Sequence, residues 1–309
     1  MYLVTGGAGF IGSNIVRELL VQGERVRVLD NFATGRRENL ADILDQIELH
    51  EADICDLEAI RPAFEGVDYV LHQAALPSVP RSVQDPVGTT EANVNGTLHV
   101  LMAARDAGVK RCVLASSSSV YGANPELPKR ETMRLQPISP YAASKFANEG
   151  YAAAFNHVYG LQTVCLRYFN VFGPRQDPTS QYAAVIPLFI TAMLEGRRPT
   201  IFGDGEQSRD FTYVANVVSA NLKAATTSGG AGGAFNIACG ERATLNELVA
   251  HLNEIMGTSI EPVYLAERPG DVKHSLADIS AAREAFGYEP VVSFREGLER
   301  VVEWYRSQG

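Results

Sequence analysis

Tyr141 and Lys145 stand four residues apart in the segment SPYAASK. On a helix that spacing puts both side chains on one face. An ammonium group close to a phenol favours the phenolate and lowers a pKa that starts at about 10. Such a pair can take the proton of an alcohol and give it back, and the lysine can reach the ribose of a nucleotide lying beside it. YxxxK alone is also what an ordinary helix face looks like. It gains meaning from residues 116–119, four serines that end the apolar stretch RCVLASS. Hydroxyls at the carboxyl edge of a parallel sheet lie where ligands bind, and one of them can relay a proton or hold a substrate oxygen.

The second constellation is LVTGGAGFIG at residues 3–12. An apolar run enters Gly6, Gly9 and Gly12, and a helical pattern opens at once with Phe10 and Ile11. The glycines permit a tight turn and close approach of the backbone to a pyrophosphate, while the helix start offers free N–H groups and a positive dipole end. A tight structural turn gives the same pattern. Here an acidic residue, Asp30, follows at about the expected 20-residue distance and ends the next apolar run, placed to accept both ribose hydroxyls of an adenosine with Asn31 beside it. Its carboxylate would repel a 2′-phosphate, which favours NAD over NADP; Arg36 and Arg37 pull slightly the other way. Asp53, followed by Ile54, ends the third run as either an adenine contact or a helix cap. Gln73, Ala74 and Ala75 end the fourth, where small side chains let a cofactor lie across the sheet. Asn93, Ser116 and Tyr168 complete the candidate cofactor contacts.

These residues need a frame, and the first half of the chain supplies one. Strands are expected at 2–5, 25–30, 47–53, 69–73, 112–116 and 163–169, alternating with helices at 11–21, 56–64, 93–107 and 141–159. That alternation implies right-handed crossovers and a parallel sheet covered on both faces. After about residue 175 the rhythm changes, with a loop at 177–181 and helices at 184–195, 244–256 and 294–305; Gly229, Gly230, Gly232 and Gly233 read as a flexible connection. The expected class is α/β, a Rossmann-type doubly wound parallel sheet with a smaller C-terminal α/β substrate-binding domain. The expected boundaries are 1–175 for the first unit, with a segment near 205–240 returning to it, and 176–309 for the second.

Composition narrows the class of function. Of 309 residues 46% are hydrophobic, enough for a sizeable core. Lys+Arg 27 against Asp+Glu 36 leaves a net charge of −9. That balance argues against nucleic-acid or anionic-membrane partners, and it allows a local basic site for a phosphorylated small molecule. Cys55, Cys112, Cys165 and Cys239 lie far apart with no CxxC, which reads as buried free thiols in a reducing compartment. The six histidines show no HxxxH or HExxH spacing, so no metal site is expected. No run approaches the ~18–20 apolar residues of a membrane span. A strand expected at residue 2 leaves no room for a signal peptide, so a cytoplasmic protein is expected.

Taken together, TGGAGFIG, Asp30, SSSSVYG, SPYAASK, RYFNVFGPR and RPGD resemble the extended short-chain dehydrogenases/reductases, and within them the UDP-hexose 4-epimerases. The resemblance implies NAD as cofactor and Ser117, Tyr141 and Lys145 as the catalytic triad, because the family's hydroxyl stands three residues before the valine of VYG. Dehydratases of the superfamily carry Asp-Glu directly after that hydroxyl, and UDP-glucuronate decarboxylases a glutamate just before VYG. Ser118 and Ser119 stand there instead, and neither can do the acid–base work of an elimination. The implied reaction is oxidation at C4 of a UDP-hexose, rotation of the 4-keto sugar and reduction on its other face. A UDP-glucuronate 4-epimerase and a non-catalytic NAD(H)-sensing protein are the alternatives.

For the nucleotide, Asn170, Arg209, Arg268 and Asp271 match the family's holding positions. A guanidinium fork suits a diphosphate, and Asp271 would take the uridine ribose hydroxyls. Ile201 and Phe202 wall the uracil or belong to the core; Ser78, Ser118 and Val185 join Tyr141 and Ser117 on the substrate side. Ser275 occupies the position where glucose/galactose-restricted relatives carry tyrosine, leaving room for a 2-acetamido group. LPSVPRS resembles the segment of acetamido-hexose epimerases but has Pro77 where they read glycine, which stiffens the loop. The implied substrates are UDP-GlcNAc/UDP-GalNAc and UDP-Glc/UDP-Gal. The resemblance also implies a homodimer through a four-helix bundle built on the helix at 141–159.

Overall fold

A computed structural model describes residues 1–178, 184–267 and 273–308. The apolar runs of the first half become parallel strands β1 (Tyr2–Thr5), β2 (Val26–Asp30), β3 (Ile47–Glu51), β4 (Tyr69–His72), β5 (Arg111–Ser117) and β6 (Gln162–Tyr168), joined by β7 (Ala234–Ile237). The seven strands lie in the order β7-β6-β5-β4-β1-β2-β3. Val4 pairs with Val28 on one side and Leu71 on the other. The strand order reverses at β1, so the crevice for a ligand opens at the carboxyl ends of β1 and β4.

Period-2 alternation sends the two halves of each strand to different cores. Val4, Val28, Leu71, Val113 and Val164 pack with Ile15, Val16 and Leu19 of helix α1 (Phe10–Val21) and with helix α4 (Val214–Thr226). Leu3, Leu29, Val70, Leu114 and Cys165 face α2 (Gly96–Asp106) and α3 (Pro140–Tyr159) instead. Both faces are covered, which is why the strands read as continuous apolar runs.

Beyond β6 the pieces are shorter. Thr200–Phe202 pairs parallel with Val263–Leu265, and Ser208–Arg209 pairs antiparallel with Ala243–Thr244. The helix Val185–Leu194, α5 (Leu245–Met256) and α6 (Phe294–Gln308) pack around them, and their buried Phe189, Leu248 and Val301 belong to the same core as the α1 face of the sheet. No helix among the described residues is long and apolar enough to cross a membrane.

Three expectations change in detail. The helix expected over 56–64 breaks into Leu57–Ile60 and a 3₁₀ turn, Arg61–Phe64, where Pro62 enters. The helix expected from 93 starts at Gly96, after a π-turn over Glu91–Asn95. The glycine-rich connection is held: Arg111, 2% exposed, donates hydrogen bonds to the carbonyls of Ala224, Thr227, Ser228 and Gly229. A buried guanidinium needs acceptors, and these backbone oxygens supply them.

Candidate active site

A cavity of about 910 Å³ runs along the crevice from Gly6, Asp30 and Asp53 to Tyr141 and Asp177. The glycine turn presses into its floor. A Cβ on Gly6, whose φ is +67°, would lie 2.6 Å from the Ala74 nitrogen, and one on Gly12 would lie 2.1 Å from the Gly6 carbonyl oxygen. Gly9 is the N-cap of α1 and brings no side chain to the first turn, where Phe10, Ile11 and Gly12 line the cavity. The free N–H groups of that turn want acceptors. Beside them stands Arg175, also lining the cavity, with φ +67° and a buried Nε that has no acceptor among the described residues. Asn14 accepts from its Nη2, and burial with the nearby Arg17 charge pulls its pKa down to about 10. Uncapped amides next to a buried, half-satisfied guanidinium are what a diphosphate would complete.

At the adenosine end, Asp30 is 7% exposed, and its carboxylate accepts from the N–H groups of Ala8 (2.9 Å) and Phe32 (2.8 Å). Burial raises its pKa above the ordinary carboxylate value, while those two amides act against the rise. Asp53 is not the helix cap: Asp56 is, accepting from Ala59 N–H at 3.1 Å. Asp53 accepts from Cys55 N–H (2.8 Å) and Asn31 Nδ2 (2.9 Å), and Asn31, Asp53 and Ile54 all line the cavity. The two arginines that favoured NADP are engaged: Arg37 pairs with Glu51 at 2.6 Å, and Arg36 reaches Asp177 at 3.4 Å across the cavity rim.

Gln73, Ala74, Ala75 and Tyr168 also line the cavity, and Asn221 holds the Gln73 and Tyr168 side chains together. Asn93 does not line it. Its side chain is buried and clamps the main chain of Leu76, accepting from the N–H at 2.7 Å and donating to the carbonyl at 3.2 Å. That clamp fixes the segment carrying Pro77 and Ser78. Ser78 lines the cavity, has φ +115°, and accepts from Arg81 N–H with its hydroxyl.

The catalytic candidates come together. Ser139 caps α3 by accepting from Ala142 N–H at 3.1 Å, and Pro140 opens the helix, so Tyr141 sits in its first turn. The Ser117 hydroxyl lies near the Tyr141 phenol and accepts from Ser119 N–H at 3.2 Å. Lys145 is buried and donates to the Ala115 carbonyl at 2.9 Å; its Nζ is 6.0 Å from the Tyr141 ring centre. Burial raises the Tyr141 pKa, and the group acting against that rise is Ser117. Lys145 is itself pulled down to about 8 by burial, and its bond goes to a carbonyl. Beneath it His72 lies between the hydroxyls of Thr5 (2.7 Å) and Thr97 (2.9 Å), held neutral by burial and by Lys145, with a pKa of about 3. Ser116 lines the cavity, but its hydroxyl is donated to Glu149. Ser117 and Ser118 lie at the strand end without lining the cavity; Ser118 begins a short 3₁₀ turn.

A second cavity of about 320 Å³ adjoins the first, with Ala184 lining both. Asn170, Val185, Phe202 and Arg209 line it, among Phe172, Phe189 and Leu245. Ile201 does not; it is fully buried in the core. Arg209 donates to the carbonyls of Ser208 and Lys273. Ser275 is half-buried and bonds through its N–H to the Ser208 carbonyl at 3.0 Å. Arg268 and Asp271 lie outside the described residues. Sequence reasoning missed Arg175, although it closes the quoted motif RYFNVFGPR, and Glu149, two turns along the helix from Tyr141.

Residues 2–238 match the NAD dependent epimerase/dehydratase family, and the chain belongs to it. It is an enzyme of the extended short-chain dehydrogenase/reductase type, and its cofactor is NAD. It is 41% identical over 311 residues to the UDP-glucose 4-epimerase of Mycolicibacterium smegmatis, covering 99% of this chain and 98% of that one. Among solved structures it is similar to the UDP-N-acetylglucosamine 4-epimerase of Methanobrevibacter ruminantium in complex with UDP-N-acetylmuramic acid, at 43% identity and TM-score 0.95, covering 100% of this chain and 98% of that one. It is similar also to the Thermus thermophilus UDP-glucose 4-epimerase in complex with NAD, at 39% identity and TM-score 0.90, covering 100% and 99%.

Proposed function

We propose that this enzyme interconverts UDP-hexoses that differ in configuration at C4, acting on UDP-GlcNAc/UDP-GalNAc and on UDP-Glc/UDP-Gal. The observation that carries the reading is the phenol of Tyr141 near Ser117 at the end of β5 and beside Lys145, with Ser118 and Ser119, neither a carboxylate, at the next two positions. The similar proteins named above support it. In this reading residues 6–12 and Arg175 hold the cofactor diphosphate, Asp30 its adenosine ribose, and Lys145 the other ribose. Bound NAD supplies a two-electron acceptor and, within the same turnover, the donor.

The chain's own residues handle the proton and the pose. Tyr141 takes the proton of the C4 hydroxyl, and Ser117 carries the hydrogen bond to the developing carbonyl oxygen. Asn170, Phe202 and Arg209 in the adjoining cavity, with Arg268 and Asp271, hold the nucleotide so that only the sugar turns. Once the sugar has turned and presents its other face, Tyr141 returns the proton to the C4 oxygen. The exposed Phe146 (45%), Tyr151 (39%) and Val158 (65%) on α3 fit burial against a second copy of the chain.

The test is incubation with UDP-galactose, UDP-GalNAc and UDP-glucuronate, followed by separation of the products. C4 epimers of the first two are expected. Turnover of UDP-glucuronate alone would overturn the substrate assignment, and water-eliminated or decarboxylated products would overturn the reaction.

A further inference from the structure

Helix α3 carries Glu149 one turn beyond Lys145, so Tyr141, Lys145 and Glu149 follow one another at i, i+4 and i+8 on one face. Three consecutive residues at the end of β5 meet them. The Ser117 hydroxyl lies near the Tyr141 phenol, the Ala115 carbonyl accepts from Lys145 Nζ at 2.9 Å, and the Ser116 hydroxyl donates to Glu149 Oε1 at 2.6 Å. The first two contacts belong to the proposed chemistry. The third touches no reacting atom, yet it is held by a charged apparatus. Arg167 on β6 donates from Nε to Glu149 Oε1 at 2.9 Å and from Nη2 to Oε2 at 2.8 Å, and the two side chains are 5% and 8% exposed. Arg167 Nη1 also donates to the Tyr121 hydroxyl at 2.8 Å, which donates to Asn236 Oδ1 on β7 at 2.7 Å.

A buried ion pair is a poor way to gain stability, since apolar residues of the same volume do as well. It is a good way to fix a hydrogen-bond acceptor in one place. The bidentate fork from Arg167 leaves the Glu149 carboxylate a single orientation, and Ser116 follows it.

We infer that Glu149 is a positioning residue: by holding Ser116, it sets the register of the β5 end against α3 and keeps the Ser117 hydroxyl on the Tyr141 phenol. This rests on Tyr141 being the proton-transfer group of the epimerisation. Displacements of about 1 Å in such sites cost up to about 100-fold in rate. Loosening one rung while leaving the other two is expected to cost less.

The experiment uses the holoenzyme with Ser116→Ala, which removes one hydroxyl and leaves the Glu149–Arg167 pair intact. The expected result is a fall in kcat of about tenfold, with KM for the UDP-hexose, bound NAD per chain and melting temperature all near wild type. Ser116→Thr, which restores the hydroxyl, is expected to recover most of the lost kcat. Wild-type kcat in Ser116→Ala would overturn the inference. So would a loss expressed in KM, bound NAD or melting temperature, or a threonine variant no better than alanine. A wild-type chain that turns over no UDP-hexose would sink the functional reading itself, whereas an active wild type with an indifferent Ser116 sinks only the positioning role.

Discussion

An alanine at Gly12 places its methyl carbon 2.1 Å from the Gly6 carbonyl oxygen and 2.8 Å from the Gly7 Cα. Both neighbours are backbone of the phosphate turn, so no side chain can swing away. Restoring ordinary contact requires the turn or the start of α1 to move by roughly 1 Å, and overpacking of that kind costs about 1–3 kcal/mol. Alanine returns up to about 1 kcal/mol through helix propensity. The net loss is on the order of 1–2 kcal/mol, or a few degrees of melting temperature at ~2–4 °C per kcal/mol.

The larger effect falls on the cofactor, because the displaced atoms are those that line the cavity at Gly6, Gly9 and Gly12. Ligand that binds only the folded chain adds stability in proportion to the logarithm of its concentration over its dissociation constant. Melting curves with and without NAD therefore separate the two effects, and absorbance of released nucleotide after denaturation counts what was bound. Gly12→Ala is expected to melt slightly low, to carry little nucleotide, and to gain little from added NAD. A variant that keeps wild-type nucleotide content and the full NAD-dependent rise would refute the assignment of this turn as the diphosphate cradle.

Asp30→Asn keeps the size of the side chain and removes the charge that repels a 2′-phosphate; the NAD/NADP affinity ratio by calorimetry is expected to narrow at least tenfold, and an unchanged ratio would contradict the role. Asp210 is fully buried with three backbone N–H donors, and burial raises its pKa to about 7. A raised acid stays protonated in the folded chain while the unfolded chain ionises, so its contribution to stability is full below about pH 4 and is lost as pH rises to about 7. Urea unfolding across that window should show Asp210→Asn with a flatter decline than wild type, by at most a few kcal/mol; parallel profiles would contradict this. The family resemblance implies that Ser275 leaves room for a 2-acetamido group; for Ser275→Tyr, kcat/KM for UDP-GalNAc is expected to fall at least tenfold with UDP-galactose spared. Equal losses on both substrates would refute the gate.

The sheet was legible because its strands are apolar on both faces, and β1 occupies the expected residues 2–5. The glycine turn and Asp30 were legible because a strand, a turn and a helix start impose a fixed spacing on them. What pairwise spacing does not carry is competition for partners. Two aspartates lie in DICDLEAI, and only the three-dimensional path makes Asp56 the cap and leaves Asp53 on the cavity. Asn93 sits at a helix start, but its amide is spent on Leu76. The face shared by Tyr141 and Lys145 was visible as a four-residue interval. The Ala115 carbonyl that accepts the lysine's hydrogen bond, and the burial that weakens its charge, depend on β5, 30 residues away. Arg175 was hidden for a different reason: its role depends on a left-handed backbone that turns it back onto α1.

The proposed epimerisation requires the Tyr141 hydroxyl to move the substrate proton. Tyr141→Phe removes that oxygen and little else, so NAD content and UDP-galactose turnover measured on the same preparation test it directly. Normal bound NAD with turnover reduced by about 100-fold or more is expected for loss of a general acid–base group; turnover near wild type would contradict it.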